Sequence, residues 1–331
     1  MPRTKRRGSS SRRRSTKTGR FLSTTDPDPP SLRTGLAGTV LFRKELLHDF
    51  VLYVDAESLL SLCEAMAQVS CTRVILQDEA WWRELLMAHF VVPLKGSKVH
   101  HSVTLAAGCS KLVAYLSLRS QRERFERCVH VVKGDLGTIA TVGDQPVDCL
   151  VFPTSCSYRN PGTGVAGCVH ERAGPSLDQA VAKLHLRNNA KPGSTMCTVG
   201  CDSGVRVLVH CVGPTPRVSN SDKTLYTTYV SAFLAVDNND VQCAAVASIS
   251  TGLYRFPVPR AADIALSAIR DLIRLRPHWN SGITFVCIDD NVYENFQRAR
   301  QETFQTFHTK GFAHTSLVKT LSMEEFTANE T

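Results

Sequence analysis

The sequence contains no run of 18 apolar residues and no apolar segment behind its N-terminal charges. The first absence excludes a membrane-spanning helix and the second a secretory leader. A soluble protein of the cytoplasm, the nucleus or both is expected, with no membrane partner. Twelve cysteines are present, yet none forms a Cys-x-x-Cys pair. The closest spacing, Cys197 and Cys201, has no second pair or histidine cluster to complete it, so neither zinc nor another metal is expected. Cys149, Cys211, Cys243 and Cys287 lie in apolar β-like runs and read as buried, reduced thiols. Acidic residues are absent from positions 1–20, which hold nine basic ones. The remainder carries 30 basic and 30 acidic residues, so the sequence pI near 9.0 belongs to a tail and the body is neutral. Nucleic-acid binding by the folded part loses its electrostatic argument.

The tail itself, "MPRTKRRGSSSRRRSTKTGR", is nearly devoid of apolar residues and reads as disordered. It is either a solubilising arm or a basic signal that contacts import receptors or nucleic acid through "KRR" and "RRR". A mitochondrial leader needs an amphipathic face, which nothing before Phe21 supplies. With the Pro/Asp/Ser linker "STTDPDPPS" it occupies residues 1–34. Residues 35–92 turn helical: Leu46, Leu47, Phe50, Val51 and Val54, then Leu59, Leu60, Leu62 and Cys63, then Trp81, Trp82, Leu85 and Leu86 predict three short amphipathic helices. After the break "VVPLKGSK", residues 93–127 read as a helical connector whose charged end, Arg119 to Arg127, looks like a spacer between two units. From Cys128 to about Phe307, apolar β-branched runs alternate with helical segments, one of them from Gly164 to about Leu186. The pattern predicts an α/β domain with a mostly parallel sheet covered on both faces. Residues 308–331 read as a weakly ordered C-terminal tail.

Right-handed crossovers place the loops that follow parallel strands on one edge, where such folds bind ligands. Three of those loops are unusual. "KGDLGT" follows the first strand. "PTSCSYRNPGTGVAGCVHERAG" follows the second and leads into a helix. "SISTGLYRFP" leaves a later strand through small hydroxyl residues and a glycine. Two Gly/Ser/Thr-rich turns facing one another offer N–H groups and helix N-termini to a phosphate or diphosphate, and glycine lets the backbone approach it. Each loop taken alone reads equally well as a tight turn. No lysine of the Walker type follows "PGTG", so a P-loop nucleotidase is not supported.

In their order, "VVKGDL", "VDCLVFPTS", "GTGVAGCVHERAGP", "VLVHCVGP", "SISTGLYRFP" and "TFVCID" resemble the macro domain family, over about 180 residues. The resemblance implies a three-layer αβα domain that binds ADP-ribose or ADP-ribosylated proteins without a cofactor. Position by position, it implies that Asp135 accepts from the adenine amino group with Leu136 beside it; the plain alternative for Asp135 is a turn. Gly162, Gly164 and Val165 would wrap one side of the diphosphate, and Ser250, Thr251, Gly252 and Leu253 the other. Tyr254 falls where the family sets an aromatic ring against the distal ribose. Asp289, Asp290 and Asn291 are rim candidates near the adenine.

The sequence departs from the hydrolytic members of that family, which carry an "NAAN"-like stretch and often an Asp after the glycine run. Phe152, Pro153, Thr154 and Ser155 stand in the first place and Ala166 in the second. With no amide at Ser155 and no carboxylate at Ala166, orientation of water and acid–base help are both weakened. Ser155, Cys156 and His170 remain as substitutes, although a histidine one turn into a helix is more often a packing or capping residue. Binding is therefore expected ahead of hydrolysis, with a mono-ADP-ribosyl hydrolase acting on modified proteins or ADP-ribose derivatives as the alternative. Upstream, "LLHDFVLYVDAESLLSLCEAMAQVS" followed by "QDEAWWRELL" is similar to an F-box, a small all-α module that docks on a Skp-type adaptor of cullin ubiquitin ligases. That resemblance implies a substrate receptor; the alternative is a helical cap that uses the same residues as core.

Overall fold

The computed structural model describes residues 44–90, 109–183 and 190–308. The basic tail and linker, the start of the helical region, the "VVPLKGSK" break and residues 309–331 lie outside the described residues. The chain divides into two units, residues 1–47 and residues 48–331.

Its helical part has four helices where the apolar spacing predicts three: α1 (Lys44–Tyr53, beginning in the first unit), α2 (Ala56–Ala67), α3 (Ser70–Leu76) and α4 (Glu79–His89). The extra break falls at Val69, which is extended, and the buried Thr72 hydroxyl donates to the Met66 carbonyl at 2.6 Å. Side-chain caps open two of the helices. Asp55 accepts from Ser58 N at 2.8 Å and Asp78 from Trp81 N at 3.0 Å, satisfying N–H groups that a first turn leaves unpaired.

The predicted spacer is no spacer. Residues Ser110–Cys128 form a 19-residue helix, α5, with Leu112, Tyr115, Leu116, Arg119, Gln121, Arg124 and Phe125 all buried. Arg119 explains how a charged stretch becomes interior. Its guanidinium donates to the carbonyls of Val51 and Val54 at the end of α1, and its Nε donates to Glu123 at 2.8 Å. A cation at a helix C-terminus satisfies carbonyls that have no intrahelical partner. The guanidinium of Arg122 lies over the rings of Phe90 and Phe304. The helical part thus packs on α5, and α5 runs directly into the first strand.

Eight strands follow: β1 (Val129–Lys133), β2 (Thr141–Val142), β3 (Gln145–Pro146), β4 (Cys149–Pro153), β5 (Thr195–Val199), β6 (Val207–Cys211), β7 (Cys243–Val246) and β8 (Gly282–Cys287). Six form one sheet in the order β1-β8-β7-β4-β6-β5, parallel except for the edge strand β5. β2 and β3 make a small hairpin that the sequence reading did not separate from the β1 loop. Between the strands come α6 (Gly164–Ala173), α7 (Pro175–Lys183), α8 (Ser221–Asn238), α9 (Val258–Leu275) and α10 (Asp290–Gln305). α6 and α7 replace the single helix expected from Gly164 to Leu186, of which residues 184–186 lie outside the described residues. Gly174 takes a left-handed φ of 71° to end α6, and Pro175, lacking an N–H, opens α7.

Alternation along the strands builds two cores. Val151, Val209, Val246 and Phe285 face α5, α8, α9 and α10; Leu150, Phe152, Leu208 and Ala245 face α6 and α7. The architecture is three layers, αβα, as expected.

Candidate functional site

β4 and β7 are adjacent and parallel, with Leu150 opposite Ala245. The chain leaves β4 toward α6 on one face of the sheet and leaves β7 toward α9 on the other. This divergence opens a crevice at the carboxyl ends of the two strands, a topological switch point. The loops after β1 and β8, which are also paired in parallel, emerge at the same edge.

On the β7 side the backbone is shaped tightly. Ser250 holds a left-handed φ of 68° and is buried, and Arg255 holds one of 52°. Phe256 N donates to Ser250 O, Arg255 N to Gly252 O, and the Thr251 hydroxyl to Ser248 Oγ at 2.7 Å. Ile249 N donates to the hydroxyl of Tyr229 on α8 at 2.9 Å. Gly213, just past β6, gives this loop its room: a Cβ there would come within 2.2 Å of Ser250 Oγ. Gly252 is exposed with nothing within 4 Å of an added Cβ, Leu253 is 92% exposed, and Tyr254 is half-buried.

The β4 side is built differently. Gly162 and Gly164 are exposed and take positive φ of 68° and 62°; Gly162 N donates to Asn160 Oδ1. Gly167 lets α6 touch this loop, since a Cβ there would meet the Gly162 carbonyl carbon at 2.9 Å. α6 begins at Thr163 without a side-chain cap and without an acidic residue in its first turn. Its leading N–H groups, those of Gly164 and the half-buried Val165 among them, remain available to an anion.

Two buried hydroxyls beyond the carboxyl ends of these strands have no partner among the described residues: Thr154 Oγ1, just after β4, and Ser250 Oγ, after β7. A buried polar atom left unpaired costs about 1–3 kcal/mol. Sequence reasoning placed Thr154 only as a replaced family position and passed over Gly213, although "HCVGP" was in view. The signal was its position directly beyond a strand that borders the crevice.

The other predicted residues fall into place unevenly. Asp135 is half-buried, and its Oδ1 accepts from Gly137 N at 2.8 Å, the turn-forming arrangement weighed as its alternative. Its Oδ2 has no partner among the described residues. The side chain of Leu136 is in the core beneath the loop, so it can offer a ligand only its backbone. Asp289 precedes α10 and is exposed, Asp290 is ion-paired with Lys133, and the Asn291 side chain accepts from Asn295 at 3.1 Å. Ser155 shares a hydrogen bond with Ser157 at 2.9 Å, and Cys156 is half-buried against the α6 core. Ala166 lies buried in that core.

His170 lies under the β4 loop with its side chain wholly buried, Nδ1 donating to Asp178 at 2.9 Å. Its ring centroid is 6.3 Å from that of His210 on β6, and Phe152 packs edge-on against it. Burial, with His170 adding to it, pushes the His210 imidazole down to about 3. Neither ring reaches the crevice surface, so neither is placed to handle a substrate proton.

An αβα protein with a topological switch point between β4 and β7 is the class these features define. Comparison with known proteins gives the family. The macro domain profile matches residues 151–265. The chain is 33% identical over 165 residues to the O-acetyl-ADP-ribose deacetylase of Escherichia fergusonii, spanning 49% of this chain and 89% of that protein. It is 32% identical over 173 residues to the protein of that name from Escherichia coli K12, spanning 51% and 93%. Among solved structures, the Oceanobacillus iheyensis macrodomain with ADP is 24% identical, covers 53% of this chain and 90% of that one, and superposes with a TM-score of 0.48. The chain belongs to the macro domain family.

Proposed function

We propose that the chain binds ADP-ribose, free or attached to a protein, with the diphosphate in the crevice between the β4 and β7 loops. The observation that carries this reading is the pair of buried, unpaired hydroxyls of Thr154 and Ser250 at the switch point. Around it, the N-terminus of α6, Gly162, Gly164 and Val165 take one side of the diphosphate. Ser250, Thr251, Gly252 and Leu253 take the other. The second carboxylate oxygen of Asp135 accepts from the adenine amino group, the backbone of Leu136 and the side chains of Asp289 and Asn291 form the adenine rim, and Tyr254 meets the distal ribose.

The relatives named O-acetyl-ADP-ribose deacetylase favour a second reading, hydrolysis of an ADP-ribose ester or of a protein-linked ADP-ribose. Ser155 and Cys156 are the residues nearest the position such chemistry needs. With Ala166 apolar and His170 engaged by Asp178, binding is the primary activity and any turnover is slow. Incubation with O-acetyl-ADP-ribose and with an ADP-ribosylated protein, alongside a calorimetric titration with ADP-ribose, tests both readings. Saturable binding with product no faster than the buffer control is expected. Multiple turnovers would transfer the assignment to the hydrolase.

For the helical part we propose docking of a Skp-type adaptor, making the chain a receptor for ADP-ribosylated substrates. Support comes from the F-box-like spacing and from Phe50, Leu52 and Tyr53, exposed by 42%, 48% and 88% on α1. Leu59, by contrast, is buried. Adaptor capture by the full chain, lost in Phe50→Asp with Tyr53→Asp while ADP-ribose affinity is unchanged, is the expected outcome; no capture by the parent chain removes the proposal.

A further inference from the structure

The sheet edge that carries the crevice is divided by charge. Beyond β1 and β8 stand Asp135, Asp289 and Asp290, the last paired with Lys133. The loops after β4, β6 and β7, residues 154–163, 212–220 and 247–257, hold no Asp or Glu. Neither does the stretch 179–194 that leads into β5. These same segments supply four exposed cations, Arg159, Lys191, Arg217 and Arg255, and none of them takes part in an ion pair among the described residues. The carboxylates that flank the segments in sequence are engaged elsewhere: Asp178 with His170, Asp222 with Arg260 and Asp263 with Arg298.

Strand register brings the four cations to one region. β4 lies between β7 and β6, with Val151 opposite Val246 and Pro153 opposite Cys211. Neighbouring strands are about 4.8 Å apart, so the three loops start within about 10 Å of one another. Lys191 is set beside two of them, because Ala190 N donates to Cys156 O and Gly193 N to Val212 O, both at 2.8 Å. Cations grouped without counter-charge make a positive field over this end of the crevice, although the body as a whole is neutral.

We infer that this cationic rim receives an acidic segment of the protein that carries the ADP-ribose, so that targets modified within Glu- and Asp-rich sequence are preferred. The inference rests on the crevice reading proposed above. In that reading Asp135 and Asp289 set adenine at the acidic end. Tyr254, next to Arg255, meets the distal ribose, the end through which a protein is attached. The attached chain therefore leaves over the β4, β6 and β7 loops. Exposed ion pairs are individually weak, but several of them add, and the field steers the encounter. A single-stranded nucleic acid would meet the same charge but stacks its bases on exposed aromatic rings. These segments expose none among the described residues: Tyr158 and Phe256 are buried and Tyr254 is half-buried.

The test is a calorimetric titration of the full chain with two ADP-ribosylated peptides, identical except that Glu flanks the modified residue in one and Gln in the other. Free ADP-ribose is the reference ligand. Roughly tenfold tighter binding of the Glu peptide is expected at low salt, with the gap closing as salt is raised. Arg159→Gln with Arg217→Gln should close the gap as well, while free ADP-ribose stays within about twofold of the parent, which also shows that the variant folds. Equal affinity of the parent for the two peptides overturns the inference, as does a gap that survives in the variant. Displacement of the Glu peptide by an unmodified single-stranded oligonucleotide, with free ADP-ribose left in place, would overturn it in favour of nucleic acid. No binding of free ADP-ribose by the parent is a separate result, which removes the crevice reading and this inference with it.

Discussion

The two loops that border the crevice achieve one shape by different means. The β7 loop is held from within: left-handed Ser250 and Arg255, a chain of backbone hydrogen bonds, and a buried support made of Tyr229, Phe256 and the bare Gly213. The β4 loop is an exposed glycine arc resting on Phe152, Tyr158, His170 and His210. The first support includes a buried phenol, Tyr229, which burial holds protonated. The second contains two imidazoles. Preorganisation thus sits on one side of the site and adaptability on the other, and four substitutions or conditions separate them.

The largest effect is expected on the rigid side. In Gly213→Val the new side chain meets Ser250 Oγ and Ile249 Cγ2, which an added Cβ alone would approach to 2.2 and 2.6 Å. Overpacking of this kind costs about 1–3 kcal/mol, and the loop must move to relieve it. Denaturant unfolding should show that loss, and ADP-ribose binding should be abolished. Retained affinity in a destabilised protein would mean the β7 loop is not preorganised for the ligand.

Acid should act on the other side. The His210 imidazole is held neutral in the fold, down to about 3 against an ordinary 6.5, so the folded state gains stability from it at pH above 6.5. As pH falls below that value the unfolded chain binds a proton that the folded one refuses. Stability should then drop by about 1.4 kcal/mol per pH unit for this residue, until the folded imidazole itself titrates. His308, buried beside Phe307 and Phe90 and likewise pushed down to about 3, adds in the same direction. Urea midpoints at pH 7.5 and 5 measure the sum, and His210→Gln should flatten the slope by the His210 share. A slope untouched by that substitution would place the acid sensitivity elsewhere.

Asp135 separates turn from ligand on a smaller scale. Asp135→Asn keeps the acceptor for Gly137 N, whereas Asp135→Ala loses it. Both lose the charged acceptor for adenine, so both should weaken ADP-ribose by about 1 kcal/mol or more, while only the alanine variant should lose stability as well. Equal affinity in all three proteins would assign Asp135 to the turn alone.

Much of the scaffold was legible in the amino-acid order, and the reasons are physical. β4 and β7 read as apolar throughout because both their faces are covered, and loops rich in Gly, Ser and Thr after such strands mark a ligand edge. The side-chain pairings were not legible. Nothing local reveals that Asp178 reaches back eight residues to His170, or that the Thr154 and Ser250 hydroxyls are both buried without a partner among the described residues. The charged end of α5 misled for a related reason: Arg119 becomes interior only because carbonyls at the end of α1 lie beyond any local window.

The smallest structural perturbation gives the sharpest test. Gly252 has no positive φ and nothing within 4 Å of an added Cβ, so Gly252→Glu should fold with unchanged stability while setting a carboxylate against the proposed diphosphate. Paired calorimetric titrations of the parent chain and this variant with ADP-ribose therefore test the crevice directly. Saturable binding by the parent and at least a roughly tenfold loss in the variant is predicted, a change of about 1.4 kcal/mol. Equal affinity in the two proteins would contradict the placement of the ligand between the β4 and β7 loops.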